Sequence, residues 1–102
     1  MHNITELIKR MCDELDDSKD YYDLEITLKD EAPLIATTYL DLAKEELNHC
    51  DKLHTTAINY INKLKASGED ITKATVAVWS FAHNQITLAY DDLKYRINRI
   101  SI

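Results

Sequence analysis

Across 102 residues the chain has one glycine, Gly68, and one proline, Pro33. Every reversal between strands draws on residues that tolerate unusual backbone angles, and a many-stranded fold would need far more of them. Leu, Ile, Ala, Lys, Glu and Asp fill the intervals instead. The expected fold is therefore all-α, a few long helices forming a single helical domain over residues 1–102.

Two stretches punctuate the chain. In Lys29-Asp30-Glu31-Ala32-Pro33 the proline suits a helix's first turn and Asp30 is a plausible N-cap. In Ser67-Gly68-Glu69-Asp70, Gly68 can take the left-handed cap conformation and Asp70 can start another helix. The pattern predicts helices near 4–29, 32–66 and 70–99. Each has an apolar stripe at helical spacing: Ile4, Leu7, Ile8, Met11, Leu15 and Tyr22 on the first, and Ile35, Tyr39, Leu42, Leu53, Tyr60 and Leu64 on the second, flanked by Leu47, Cys50, Ile58 and Ile61. The third shows Ile71, Val78, Ala82, Ile86, Ala89, Leu93 and Ile97. Short connections favour antiparallel neighbours in an up-down-up bundle. At 1.5 Å per residue the second helix would be roughly 50 Å long. A monomer so slender has a thin core, which points to a homodimer or larger homo-oligomer that completes the bundle.

The formal charge of −6 argues against nucleic acid as a partner, since phosphate contacts require a basic face. Residues 13 to 31 concentrate nine acids against Lys19 and Lys29, whereas Lys94 to Arg99 is basic. Such an acidic run reads as a solvated helix face, or as a surface attracting cations or a basic partner. No apolar run approaches the roughly 18 residues of a membrane span, and the first residues lack the shape of a signal peptide. A soluble, cytoplasmic protein is expected, with Cys12 and Cys50 as reduced packing residues.

The polar residues inside the stripes carry the chemistry. Ile35, Tyr39, Leu42, Glu46, His49 and Leu53 follow alternating steps of four and three, so Glu46 and His49 are expected to face the core. This Glu-x-x-His pair spans one helical turn, which lets a carboxylate oxygen and an imidazole nitrogen converge on one ion. A carboxylate taken out of water costs several kcal/mol unless a cation or donors compensate. Glu14 joins a stripe of Leu7, Met11, Ser18 and Tyr21, with Glu25 on nearly the same face. His83 lies in a stripe of Val76, Trp79, Ile86, Tyr90 and Leu93. Metal ligation by Glu14, Glu46, His49 and His83 is one reading. In the other, Glu46 and His49 satisfy each other or pair across a dimer seam, and His83 is a hydrogen-bonded core residue. Asp51 and His54 repeat the acid-x-x-His spacing, but neither His2 nor His54 has positional support.

With Glu14 in Asp13-Glu14-Leu15, followed about 32 residues later by Glu45-Glu46-Leu47-Asn48-His49, residues 4 to 66 resemble half of a ferritin-like di-metal protein. In the half-length members associated with encapsulins a tyrosine follows the first glutamate by two turns, as Tyr21 does here. The order Met-Cys-Asp-Glu-Leu, Asp-Tyr-Tyr, Glu-Glu-Leu-x-His and Val-Trp-x-x-x-His is also similar to short ferritin-like proteins of phages and prophages of Gram-positive bacteria. The resemblance implies a ferritin-like bundle in which Glu46 bridges or chelates a metal, Glu14 and His49 are terminal ligands, and Tyr21 stands behind them. Helix three carries no second Glu-x-x-His, so one chain lacks the ligands of a full di-iron site. A symmetric dimer would supply them; otherwise the site is mononuclear, with His83, or a relic.

The functional expectation is a divalent-metal protein, binding iron or alternatively manganese or zinc, with ferrous oxidation as the natural chemistry of iron. The alternative is a metal-free helical assembly or accessory factor with a phage or host protein as partner. A third reading docks the acidic first helix on a basic surface.

Overall fold

A computed structural model describes residues 2–67 and 73–100, with side chains described for 3–67 and 73–99. It contains three helices, α1 (His2–Leu28), α2 (Pro33–Ala66) and α3 (Lys73–Ile100), and no strand among the described residues. They pack side by side into a rod of 56 × 22 × 17 Å. None is long and apolar enough to cross a membrane.

The α1–α2 corner is made by Ala32. Its amide donates to the Leu28 carbonyl at 2.8 Å, closing α1, and its carbonyl accepts from Ala36 at 2.9 Å, opening α2. Pro33 occupies the first turn as expected, but the cap position is Ala32, with no side-chain cap, rather than Asp30. Gly68, Asp70 and Ile71 lie outside the described residues. The Ser67 amide and hydroxyl both return to α2 carbonyls, of Lys63 and Leu64, at its end.

Packing of α1 on α2 follows a seam that the sequence supports but whose register differs from the expected one. On α2 the residues turned inward are Ala36, Leu40, Ala43, Leu47, Cys50, His54, Ala57 and Ile61, in unbroken steps of four and three. This seam lies one residue, or about 100° of helix rotation, from the expected line through Ile35, Glu46 and His49. Small residues decide it. Ala36, Ala43, Cys50 and Ala57 recur every seven positions and are 0–3% exposed, which allows α1 to approach closely. Ile35, expected in the stripe, is 53% exposed.

The seam on α1 reads Ile4, Ile8, Met11, Leu15, Ser18, Tyr22 and Glu25 at the same spacing. Ser18 is fully buried, and its hydroxyl donates to the Ala43 carbonyl across the interface at 2.7 Å. Seven of the nine acids between 13 and 31 are exposed, so the solvated-face reading holds for all but Glu14 and Glu25. Glu25 is buried, and its Oε2 has no hydrogen-bond partner among the described residues.

α3 lies on one side of the α1–α2 pair. Its Ile86, Leu93 and Ile97 enter the core, and the clefts beside it are lined by Leu15, Asp16, Lys19 and Tyr22 of α1 and by Cys50, Asp51 and His54 of α2. Its outer surface bears an apolar row, Val78, Phe81, Leu88 and Tyr95, and the two stripes expected on this helix are exposed at Val78 and Val76. Among the described residues no third helix covers the opposite side of the α1–α2 pair. There stand Leu7 and Tyr21 of α1 with Tyr39, Leu42 and Leu53 of α2, all half-buried.

Enlarging a seam alanine should force the two helices apart. Ala43→Leu is expected to destabilise the protein by about 2–3 kcal/mol, by overpacking and by breaking the Ser18 contact, and Ser18→Ala by about 1 kcal/mol. Urea unfolding followed by circular dichroism measures both; equal, negligible costs would show that the close approach is unimportant.

Candidate metal centre

On the face that α3 leaves uncovered, Glu14 of α1 meets Glu46 and His49 of α2. His49 Nδ1 stands 3.4 Å from Glu14 Oε2 and 3.6 Å from Glu46 Oε2. One ligand atom from each residue falls within 4.8 Å of the others. The trio exists because the seam alanines bring the helices together and because each member lies one step around its helix from the seam, at its margin. The side chains of Glu14 and Glu46 are 25% and 18% exposed, and that of His49 is 52% exposed. The three converge as the sequence suggests, but at an edge open to solvent rather than in the core.

Two carboxylates this close cannot both hold full charge cheaply. A hydrogen bond with Glu14, partial burial and the negative charge of Glu14 push the Glu46 carboxyl from its ordinary value of 4.5 up to about 7. His49 opposes the rise and Asp17, one turn beyond Glu14, adds to it. Asp17 is a contributor that sequence reasoning missed, although its spacing of three from Glu14 places it on the same face. The trio is a donor set of two hard oxygens and one nitrogen that suits iron, manganese or zinc once Glu46 is deprotonated.

Tyr21, two turns after Glu14, packs on Tyr39 with ring centroids 6.0 Å apart. His83 stands elsewhere. It projects from α3, which covers the other side of the α1–α2 pair, and its Nε2 is 2.8 Å from His54 Nε2. The same chain therefore cannot bring His83 to the trio without moving a whole helix. His54 was overlooked because the expected seam ran one residue too early; on the observed seam it is the single polar member between Cys50 and Ala57.

Of the cysteines, Cys50 is buried in the seam, where desolvation, followed by Cys12 and then the acidic Asp51 and Glu14, pushes the thiol up to about 12. Cys12 is exposed, so only Cys50 fits the packing role, and neither forms a disulfide.

Comparison with protein families, with curated proteins and with solved structures gives no match.

The raised Glu46 carboxyl makes stability depend on pH with a defined sign. Between pH 4.5 and about 7 the folded protein keeps a proton on Glu46 that the unfolded chain releases. Stability from this group therefore falls as pH rises through that window and levels above it. Glu46→Gln cannot titrate, so its advantage over the wild type is expected to grow from pH 4.5 to 7 in urea unfolding of metal-free protein. Parallel pH profiles for the two proteins would contradict a raised Glu46.

Proposed function

We propose that the chain is a ferritin-like metal-binding protein in which Glu14, Glu46 and His49 ligate iron or manganese, and in which a second copy covers the open face to complete the site. The observation that carries this reading is the convergence of two carboxylates and one imidazole from two helices within 4.8 Å.

The surroundings of the trio support a shared site. Leu7, Tyr21, Tyr39, Leu42 and Leu53, the apolar residues expected in the core, flank it on the side without a third helix. A symmetric partner laid there would bury them, form a four-helix layer from two α1–α2 pairs, and set two trios face to face. His49, the most exposed of the three, is the side chain with most to gain from that cover.

Bound iron with an open coordination position would supply ferrous oxidation by dioxygen. The protein's own groups have defined parts in binding. Glu14 and Glu46 would each hold the ion through a carboxylate oxygen, Glu46 giving up its proton on binding. His49 offers Nδ1, the nitrogen already directed at both carboxylates. The Tyr21 ring, held against Tyr39, fixes the α1–α2 spacing on one side of the trio.

A second reading, a metal-free assembly or accessory protein acting through contacts with other proteins, is favoured by the exposed row of Val78, Phe81, Leu88 and Tyr95 on α3.

Elemental analysis of protein purified without a chelating tag, combined with sedimentation, distinguishes the two. The metal reading expects roughly one iron or manganese per chain, the ratio of a two-metal site shared by two copies, and loss of that metal in both Glu46→Ala and His49→Ala. A metal-free wild type with an unchanged assembly state would reject it in favour of the second.

A further inference from the structure

We propose that His54 and His83 form a second transition-metal site, a two-imidazole clip between α2 and α3 that takes a borderline divalent ion such as copper or zinc. This inference is independent of the Glu14–Glu46–His49 reading, because it uses other residues and pairs α2 with α3 rather than with α1.

The geometry is specific. The two Nε2 atoms are 2.8 Å apart, the ring planes lie within 8° of parallel, and the centroids are 4.9 Å apart. That nitrogen separation is closer than two stacked ring planes allow, so the rings meet edge to edge and point Nε2 at Nε2. In the free protein one imidazole donates its Nε2 proton to the other's lone pair. Both rings are half-buried, and Trp79 lies against them, with centroids 5.2 Å from His83 and 6.5 Å from His54. Burial, the first cause, and the neighbouring His83 hold His54 below its ordinary range, which favours the neutral ring that metal binding needs.

A tetrahedral or square site binds imidazole nitrogen at about 2.0–2.1 Å, which sets two adjacent nitrogens about 2.8–3.4 Å apart. Widening the pair by no more than about half an ångström, with a tilt of each ring by roughly 35–45° so that both lone pairs turn from each other to a common point, therefore admits an ion. The ring that carried its proton on Nε2 moves it to Nδ1 through solvent, so both Nε2 lone pairs become ligands without net proton release. A cleft of about 140 Å³ beside His54, lined also by Asp51 and Asp91, brings solvent and acidic residues to that side of the pair. Imidazole pairs select copper, zinc and nickel over the harder ions suited to carboxylates.

Trp79 is the sole tryptophan of the chain, which makes it a reporter. The test uses a full-length variant carrying His2→Gln, Cys12→Ser, Glu14→Gln, Glu46→Gln and His49→Gln, which removes the exposed thiol and leaves His54 and His83 as its only imidazoles. Cu²⁺ should quench Trp79 fluorescence with a break at one ion per chain, and removal of the copper with excess EDTA should reverse the quenching. Adding His54→Gln or His83→Gln should weaken Cu²⁺ about 100-fold, the scale on which a second tethered ligand strengthens binding. Electron paramagnetic resonance of the copper complex with both histidines intact should show two equatorial imidazole nitrogens. That spectrum decides the matter even where a histidine variant fails to fold. Absence of stoichiometric quenching, quenching unchanged by either added substitution, or a spectrum with fewer than two imidazole nitrogens would overturn the proposal.

Discussion

The close contact between α1 and α2 along Ala36, Ala43, Cys50 and Ala57 is the constraint on which the rest of the structure depends. Without side chains to hold the helices apart, Ser18 reaches the Ala43 carbonyl at 2.7 Å, and this bond fixes the register of the pair. Register then sets the chemistry. Glu14 lies one turn before Ser18 and Glu46 one turn after Ala43, so antiparallel helices locked at Ser18–Ala43 bring Glu14, Glu46 and His49 to one level. A slip of one turn, about 5.4 Å, would separate them.

Much of this was legible in the chain. One glycine and one proline dictated long helices, and the three observed helices match the expected ones to within a few residues. The convergence of Glu14 with Glu46 and His49 was also readable, because both glutamates sat in apolar stripes where an exposed charge has no reason to be. The choice of seam was harder. Two lines on α2, one through Ile35, Glu46 and His49 and one through Ala36, Cys50 and His54, share the same periodicity. Larger apolar residues favoured the first, but close packing rewards the smaller ones of the second, and a periodicity count is blind to volume. The same confusion hid His54, whose partner comes from a helix far along the sequence.

The two polar clusters occupy opposite sides of the same helix pair and differ in character. The trio is rich in carboxylates, open to solvent, and surrounded by half-buried apolar residues. The imidazole pair is half-buried between α2 and α3, with Trp79 beside both rings. Hard oxygen donors at one and nitrogen donors at the other would sort ions by type rather than compete for one. α3 thus completes the core through Ile86, Leu93 and Ile97, shields one face, and leaves the face bearing the trio available to a second copy.

The most direct test of the central claim is anomalous X-ray diffraction from crystals grown with Mn²⁺, collected on both sides of the manganese absorption edge. The expected result is an anomalous peak in contact with Glu14, Glu46 and His49, at an interface with the same three residues of a symmetry-related copy. A difference map with no peak there, or Glu14 and Glu46 turned apart into solvent, would contradict it.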